Sequence, residues 1–200
     1  SKFSKPIVVF DIGAHYGETI RLFLNKLKIQ KIYSFEPSPY NFQVLKKNIS
    51  KYQPNKVEIF NFGLSKIDTK AYLYSNTNNF GKSESGLINY KNQKNTKKTE
   101  IELKNFLQEI DKIKNHNSND RIKVIKIDIE GGEFLFEKDI YDLVKLEKIY
   151  CIFSYHHMVF NRNKFKKNFY KMRTLFYQIF IKKIYPSKNL FSIANIFKSK

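Results

Sequence analysis

Two groups of carboxylates, each set beside glycines, carry the chemistry available to this sequence. In VVFDIGAHYGETIRLFL, residues 8–24, an apolar run of four that begins at Ile7 leads into Asp11, and Gly13 and Gly17 follow before an amphipathic segment begins. A strand, a tight glycine turn and a helix start in that order are the usual grip of an α/β sheet on a nucleotide-like ligand. The second group lies in IKVIKIDIEGGE, 122–133, where Asp128, Glu130 and Glu133 surround a Gly-Gly turn. Carboxylates there can bind a hydroxyl, orient it or accept its proton. A later apolar run closes on His156 and His157, and histidine has the pKa of a general base near neutrality.

The glycine turn excludes more ligands than it admits. A dinucleotide fingerprint, G-x-G-x-x-G, would need glycine at positions 15 and 18, which hold His15 and Glu18. A carboxylate at the helix start repels a pyrophosphate that must dock on the same N-terminus, so NAD is not expected. Gly81-Lys82-Ser83 resembles the end of a P-loop, but the glycine required five residues earlier is Asn76. A ligand without a diphosphate fits better, and S-adenosylmethionine is one: glycine lets backbone approach its amino-acid portion. Asp11 suits a site for an ammonium near a sulfonium. Glu36 follows Gly17 by nineteen residues at the end of the next strand, where an acid accepts ribose hydroxyls. His15 either lines this site or serves the backbone of the turn.

These residues need elements to hold them. Apolar periodicity predicts a strand at about 6–12, a helix at about 17–28 with Ile20, Leu24 and Leu27 on one face, and a strand at 31–37 ended by Pro37 and Pro39. Phe42, Leu45 and Ile49 mark a second helix, and VEIFNFGLS (57–65) a third strand. This β-α-β rhythm predicts a parallel sheet. A short strand at 71–76 precedes a long polar loop, 76–98, and 98–110 reads as a short strand and helix. A near-continuous β run over 122–133 that meets carboxylates and a Gly-Gly turn, a helix at about 133–146 and a strand at 148–157 follow, then a helix near 163–176 and a terminal hairpin. The β run that starts at 122 should lie beside the first strand, which brings the second acidic group to the glycine turn.

Two hundred residues, 42% of them hydrophobic, suffice for one domain with a sheet covered on both faces. No apolar run approaches the ~18–20 residues of a membrane span, and no secretory leader is visible. The first residue is Ser, so an initiator Met is expected upstream. Cys151, the single cysteine, excludes an intrachain disulfide, and a cytoplasmic location is expected. Net charge is +19, of which residues 148–200 carry +12, from ten Lys and two Arg without an acid. Such a region can face nucleic acid, an anionic membrane surface or an acidic glycan. Lys outnumbers Arg 33 to 4, so a coding bias toward Lys explains the same excess with no partner.

The stretches VFDIGAHYGET, IYSFEPSPYNFQVLKKNI, FNFGLS and IKIDIEGGE, in that order over about 7–157, resemble the FkbM-type S-adenosylmethionine-dependent methyltransferases. The second and last stretches are the more specific to that family. The resemblance implies an α/β fold with a doubly wound, mostly parallel seven-stranded sheet of the class I methyltransferase (Rossmann-like) type. It also implies methyl transfer to a hydroxyl of a glycan or small hydroxylated metabolite. By it, Asp11, Gly13 and Gly17 hold the methionine end, Glu36 the ribose with Pro37 and Ser38 shaping its turn, and Asn61, Phe62, Gly63 and Leu64 lie near the adenine. Asp128, Glu130, Gly131 and Glu133 match its acidic stretch. Two departures stand out: Ser154-Tyr155-His156 lacks the acid usual two residues before the histidine, and Leu103-Lys104-Asn105-Phe106 lacks the acid of the corresponding family segment.

Asp128 and Glu130, two apart on a strand, share a face and with His156 are the candidate bases. Glu133, after the Gly-Gly turn at a helix start, is assigned a capping role. No Asn/Asp-Pro-Pro-aromatic turn, the usual holder of an amine acceptor in this fold, follows the acidic strand, which argues against nucleic acid as the acceptor. Two acids and a histidine can hold a divalent metal, but no further ligand pattern accompanies them and no metal is assigned. The competing readings are a polyanion-binding module on a methyltransferase scaffold and a nucleic-acid methyltransferase.

Overall fold

The computed structural model describes residues 5–76, 96–116, 122–129, 138–140, 142–143 and 149–153, with side chains left undescribed at 75–76, 96–97, 116 and 153. All of them belong to one compact unit, Ser1–Phe153; a second unit, Ser154–Lys200, lies outside the described residues.

The chain opens with strand β1 (Ile7–Ile12), buried along its whole length, and helix α1 (Glu18–Lys26). Strand β2 (Ile29–Phe35), helix α2 (Pro39–Ile49) and strand β3 (Val57–Phe60) follow. Strands β4 (Gly63–Ser65), β5 (Thr69–Asn76) and β6 (Thr96–Asn105) then lead to helix α3 (Phe106–His116). Strands β7 (Ile122–Ile127) and β8 (Tyr150–Phe153) complete the described elements, with helical residues at 138–140 and 142–143 between them. Among the described residues, five strands form one all-parallel sheet in the order β3-β2-β1-β7-β8, and three form another in the order β4-β6-β5.

β1 has both faces covered, so its apolar residues run on without alternation, as expected of a central parallel strand. Ile7 and Val9 join Ile20 and Phe23 of α1 and Leu45 and Ile49 of α2 in one core. On the other face, the Phe10 ring packs against Tyr33 and Phe35. α2 starts where its sequence says it should: Ser38 caps it, accepting from the Asn41 N–H at 3.3 Å, and Pro39 takes the first turn. The expected neighbour relation holds, with β7 beside β1 and chain order reversing between them.

Two expectations are corrected. Residues 57–65 form not one strand but two, β3 in the large sheet and β4 in the small one. The cause is Gly63: a side chain there would meet Leu103 at 2.6 Å, so glycine lets the chain leave β2 and pair with β6. The ends of the expected polar loop are also strand, since pairing of β5 with β6 extends to Asn76 and Thr96; residues 77–95 lie outside the described residues.

Candidate active site

The site is built on the carboxyl-terminal edge of β1, β2 and β7, where an open parallel sheet presents unpaired backbone to a ligand. Beyond β1 the chain makes a tight turn that needs three positive φ angles: 80° at Gly13, 51° at His15 and 91° at Gly17. The amides of Gly13 and Ala14 donate to the Phe35 carbonyl, and the Asp128 amide donates to the Ile12 carbonyl at 3.0 Å. Turn, β2 end and β7 end are thereby laced together.

The two glycines differ in purpose. A Cβ on Gly13 would lie 1.9 Å from the Asp128 carbonyl oxygen, so the turn touches the end of β7 through bare backbone. A Cβ on Gly17 would instead meet the Leu45 side chain at 2.9 Å. Gly17 begins α1 and seats it against α2; it does not line the pocket.

Glu36 follows β2 and is buried. Its Oε2 accepts the His15 N–H at 2.8 Å, and its Oε1 accepts the Ser38 N–H at 3.0 Å and the Asn41 side-chain amide at 3.3 Å. Burial raises its pKa above the usual carboxylate range, against the pull of those three donors. A carboxylate has about four acceptor positions, so one remains for a ligand. Asn61 braces the same point from behind, donating to the Glu36 carbonyl at 2.9 Å and the Pro37 carbonyl at 3.4 Å. Phe62 lies in an aromatic group with Phe35 and Phe60.

Asp11 and Asp128 sit at different depths. Asp11 is fully buried beneath the turn, with the Lys126 ammonium 3.1 Å from its Oδ1. That contact is one of charge, since neither Asp11 oxygen receives a well-aligned hydrogen bond from a described residue. Burial pushes the Asp11 pKa up, and the lysine opposes it. Asp128 is partly exposed and lines the pocket, 3.8 Å from the same ammonium.

One pocket gathers Gly13, His15, Glu36, Pro37, Gly63, Leu64 and Asp128. The sequence reading missed its far wall, Leu73, Ile101 and Leu103 of the small sheet, and missed Lys126 and Asn41. Lys126 carries a signal, a cation inside the apolar run of a central strand that must have a buried partner. His15 lines the pocket with its Nδ1 3.7 Å from Glu18 and its ring against Tyr16. Asp11, Gly17, Ser38, Asn61 and Phe62 are not among the residues that line the pocket. Glu130, Glu133 and His156 lie outside the described residues. Among the described residues, no group of three or more His, Cys, Asp or Glu converges on a metal position.

A carboxylate with an open acceptor position, a second carboxylate and an apolar wall suit a ligand with hydroxyls, a positive charge and a flat apolar part. A structure titled as that of methyltransferase FkbM from Methylobacillus flagellatus KT superposes with a TM-score of 0.51 at 20% identity, and so shares the fold. The match covers 76% of this chain and 33% of that one, so this chain spans about a third of its length. No curated protein matches. The family description "Methyltransferase FkbM domain" matches residues 11–178, a span that takes in every residue lining the pocket. The chain therefore belongs to the FkbM methyltransferase family.

Proposed function

We propose that this protein transfers a methyl group from S-adenosylmethionine to a hydroxyl of a glycan or small hydroxylated metabolite. The observation that carries the reading is Glu36: buried, bonded to the glycine turn through the His15 N–H, and opening on the same pocket as Asp128. The residues present fit the donor. Glu36 would accept one of its ribose hydroxyls, Asp128 would face its positive charge, and Gly63, Leu64 and Leu103 would bound its base. A diphosphate fits poorly, because Glu18, Glu36 and Asp128 all line the pocket and Lys126 is already committed to Asp11 and Gly13.

When bound, the donor supplies an electrophilic methyl carbon on a sulfonium. The chain must then hold the acceptor oxygen in line, which supplies much of the rate, and take its proton. We assign that task to Asp128, Glu130 and His156, with Glu133 capping the helix after the Gly-Gly turn. The described five-stranded parallel sheet, with chain order reversing between β1 and β7, supports a doubly wound, mostly parallel sheet of the class I methyltransferase type. The +12 charge of residues 148–200 supports a second role for that region, holding the enzyme near an anionic lipid or saccharide.

Calorimetric titration with S-adenosylmethionine, S-adenosylhomocysteine and NAD tests the reading. Binding of the two sulfur compounds alone is the expected result. Binding of NAD, or of none of the three, overturns it.

A further inference from the structure

We propose that Lys126 is a positioning residue of the donor pocket and that Asp11 is the counter-charge that lets it sit there. The proposal rests on the pocket being the S-adenosylmethionine site. Lys126 and Asp11 face each other in register on adjacent central strands, and both are buried. A lysine ammonium has three donor hydrogens and no acceptor. Here it lies 3.1 Å from Asp11 Oδ1, donates to the Gly13 carbonyl at 2.6 Å and stands 3.8 Å from Asp128 Oδ2. One cation thus reaches the floor of the sheet, the glycine turn and the acidic strand end.

Only one of those three contacts is with a group behind the pocket wall. Gly13 and Asp128 both line the pocket, whereas Asp11 does not. If the pair served stability alone, two apolar side chains of similar volume would do as well, because they avoid desolvating two charges. What an apolar pair lacks is a hold on the Gly13 carbonyl and on the Asp128 carboxylate. The lysine fixes the peptide plane on which the turn pivots, and it draws Asp128 toward that turn. Asp11 acts through Lys126 and does not touch the ligand, which explains why an acid at the end of β1 is buried beneath the pocket instead of lining it.

The test separates the two roles by removing the charges singly and together. Lys126→Met, Asp11→Asn and the double variant are compared with the wild type for melting temperature and for calorimetric affinity toward S-adenosylhomocysteine. Each single change leaves a buried charge without its partner and lowers the melting temperature. The double variant is expected to regain most of that loss, since neither charge remains to be desolvated. Its affinity is expected to stay at least tenfold below that of the wild type. A double variant that recovers both stability and affinity makes the pair purely structural and overturns the proposal. Should it not fold, the wild type decides: the slowly exchanging ammonium resonance of Lys126, observed with ¹⁵N-lysine, is expected to shift when S-adenosylhomocysteine saturates the protein. An unmoved resonance overturns the proposal. A wild type that does not bind S-adenosylhomocysteine overturns the donor-site reading, and this inference falls with it.

Discussion

Alanine at Gly13 and alanine at Gly17 add the same methyl group to the same motif, yet the two substitutions should part company. Both glycines hold positive φ, 80° and 91°, a region that costs an L-residue about 1–2 kcal/mol. At Gly17 the new Cβ meets only the Leu45 methyl at 2.9 Å, which a small rotamer change relieves. Gly17→Ala should therefore cost about 1–2 kcal/mol, or a fall of about 2–8 °C in a protein of this size. At Gly13 the Cβ would sit 1.9 Å from the Asp128 carbonyl oxygen, and the Asp128 amide is itself tied to Ile12. The ends of β1 and β7 must separate, adding an overpacking cost of about 1–3 kcal/mol. The total, about 2–5 kcal/mol, corresponds to about 4–20 °C. Thermal unfolding by circular dichroism reads the stability, and calorimetry with S-adenosylhomocysteine reads the pocket. Gly13→Ala should lose affinity, because both residues it drives apart line the pocket, and Gly17→Ala should keep most of it. The reverse ranking in affinity, or a Gly13→Ala protein as stable as the wild type, would refute the reasoning.

Other perturbations follow from the same geometry. Glu36 binds its proton more tightly in the folded chain than at its ordinary value of 4.5, so its contribution to stability falls as pH rises through that value and levels off above the raised one. Urea unfolding at stepped pH should thus show Glu36→Gln gaining on the wild type as pH rises from 4 toward neutrality; a constant difference contradicts this. Asn61→Ala removes the donor shared by the Glu36 and Pro37 carbonyls, and should cost about 0.5–1.5 kcal/mol in urea unfolding. Leu103→Ala should cost about 2 kcal/mol, the low end for such a change, because its cluster among the described residues is small, with Leu73, Ile101 and Ala71 beside it. The same variant should bind S-adenosylhomocysteine more weakly in calorimetry, since Leu103 forms part of the pocket wall.

The central part of the fold was legible because its causes are local. A strand buried on both faces writes a continuous apolar run, as β1 does, and Ser38-Pro39 announces a helix whatever packs on it. Glu36 could be found by its distance from the turn alone. The misreading of 57–65 has the opposite origin. Apolar residues continue through Phe60, Phe62 and Leu64 without a turn signal, and what divides the run is contact between Gly63 and Leu103, far along the chain. Gly17 and Asp11 were read as ligand contacts because spacing shows that a residue belongs to the turn, not which way it faces. Lys126 was missed because its partner lies on a neighbouring strand, and only the register of β1 against β7 pairs them.

The two-residue step between β3 and β4 also limits how the molecule can breathe. Successive Cα atoms are 3.8 Å apart, so the large sheet at Phe60 and the small sheet at Gly63 are tethered within about 11 Å however the rest of the chain moves. The two sheets cannot part by more than that length at this point. Asn61 stands on the tether and grips the carbonyls of Glu36 and Pro37. The link between the two sheets is thus also a brace on the backbone of Glu36, so the apolar wall and the acid facing it share one anchor.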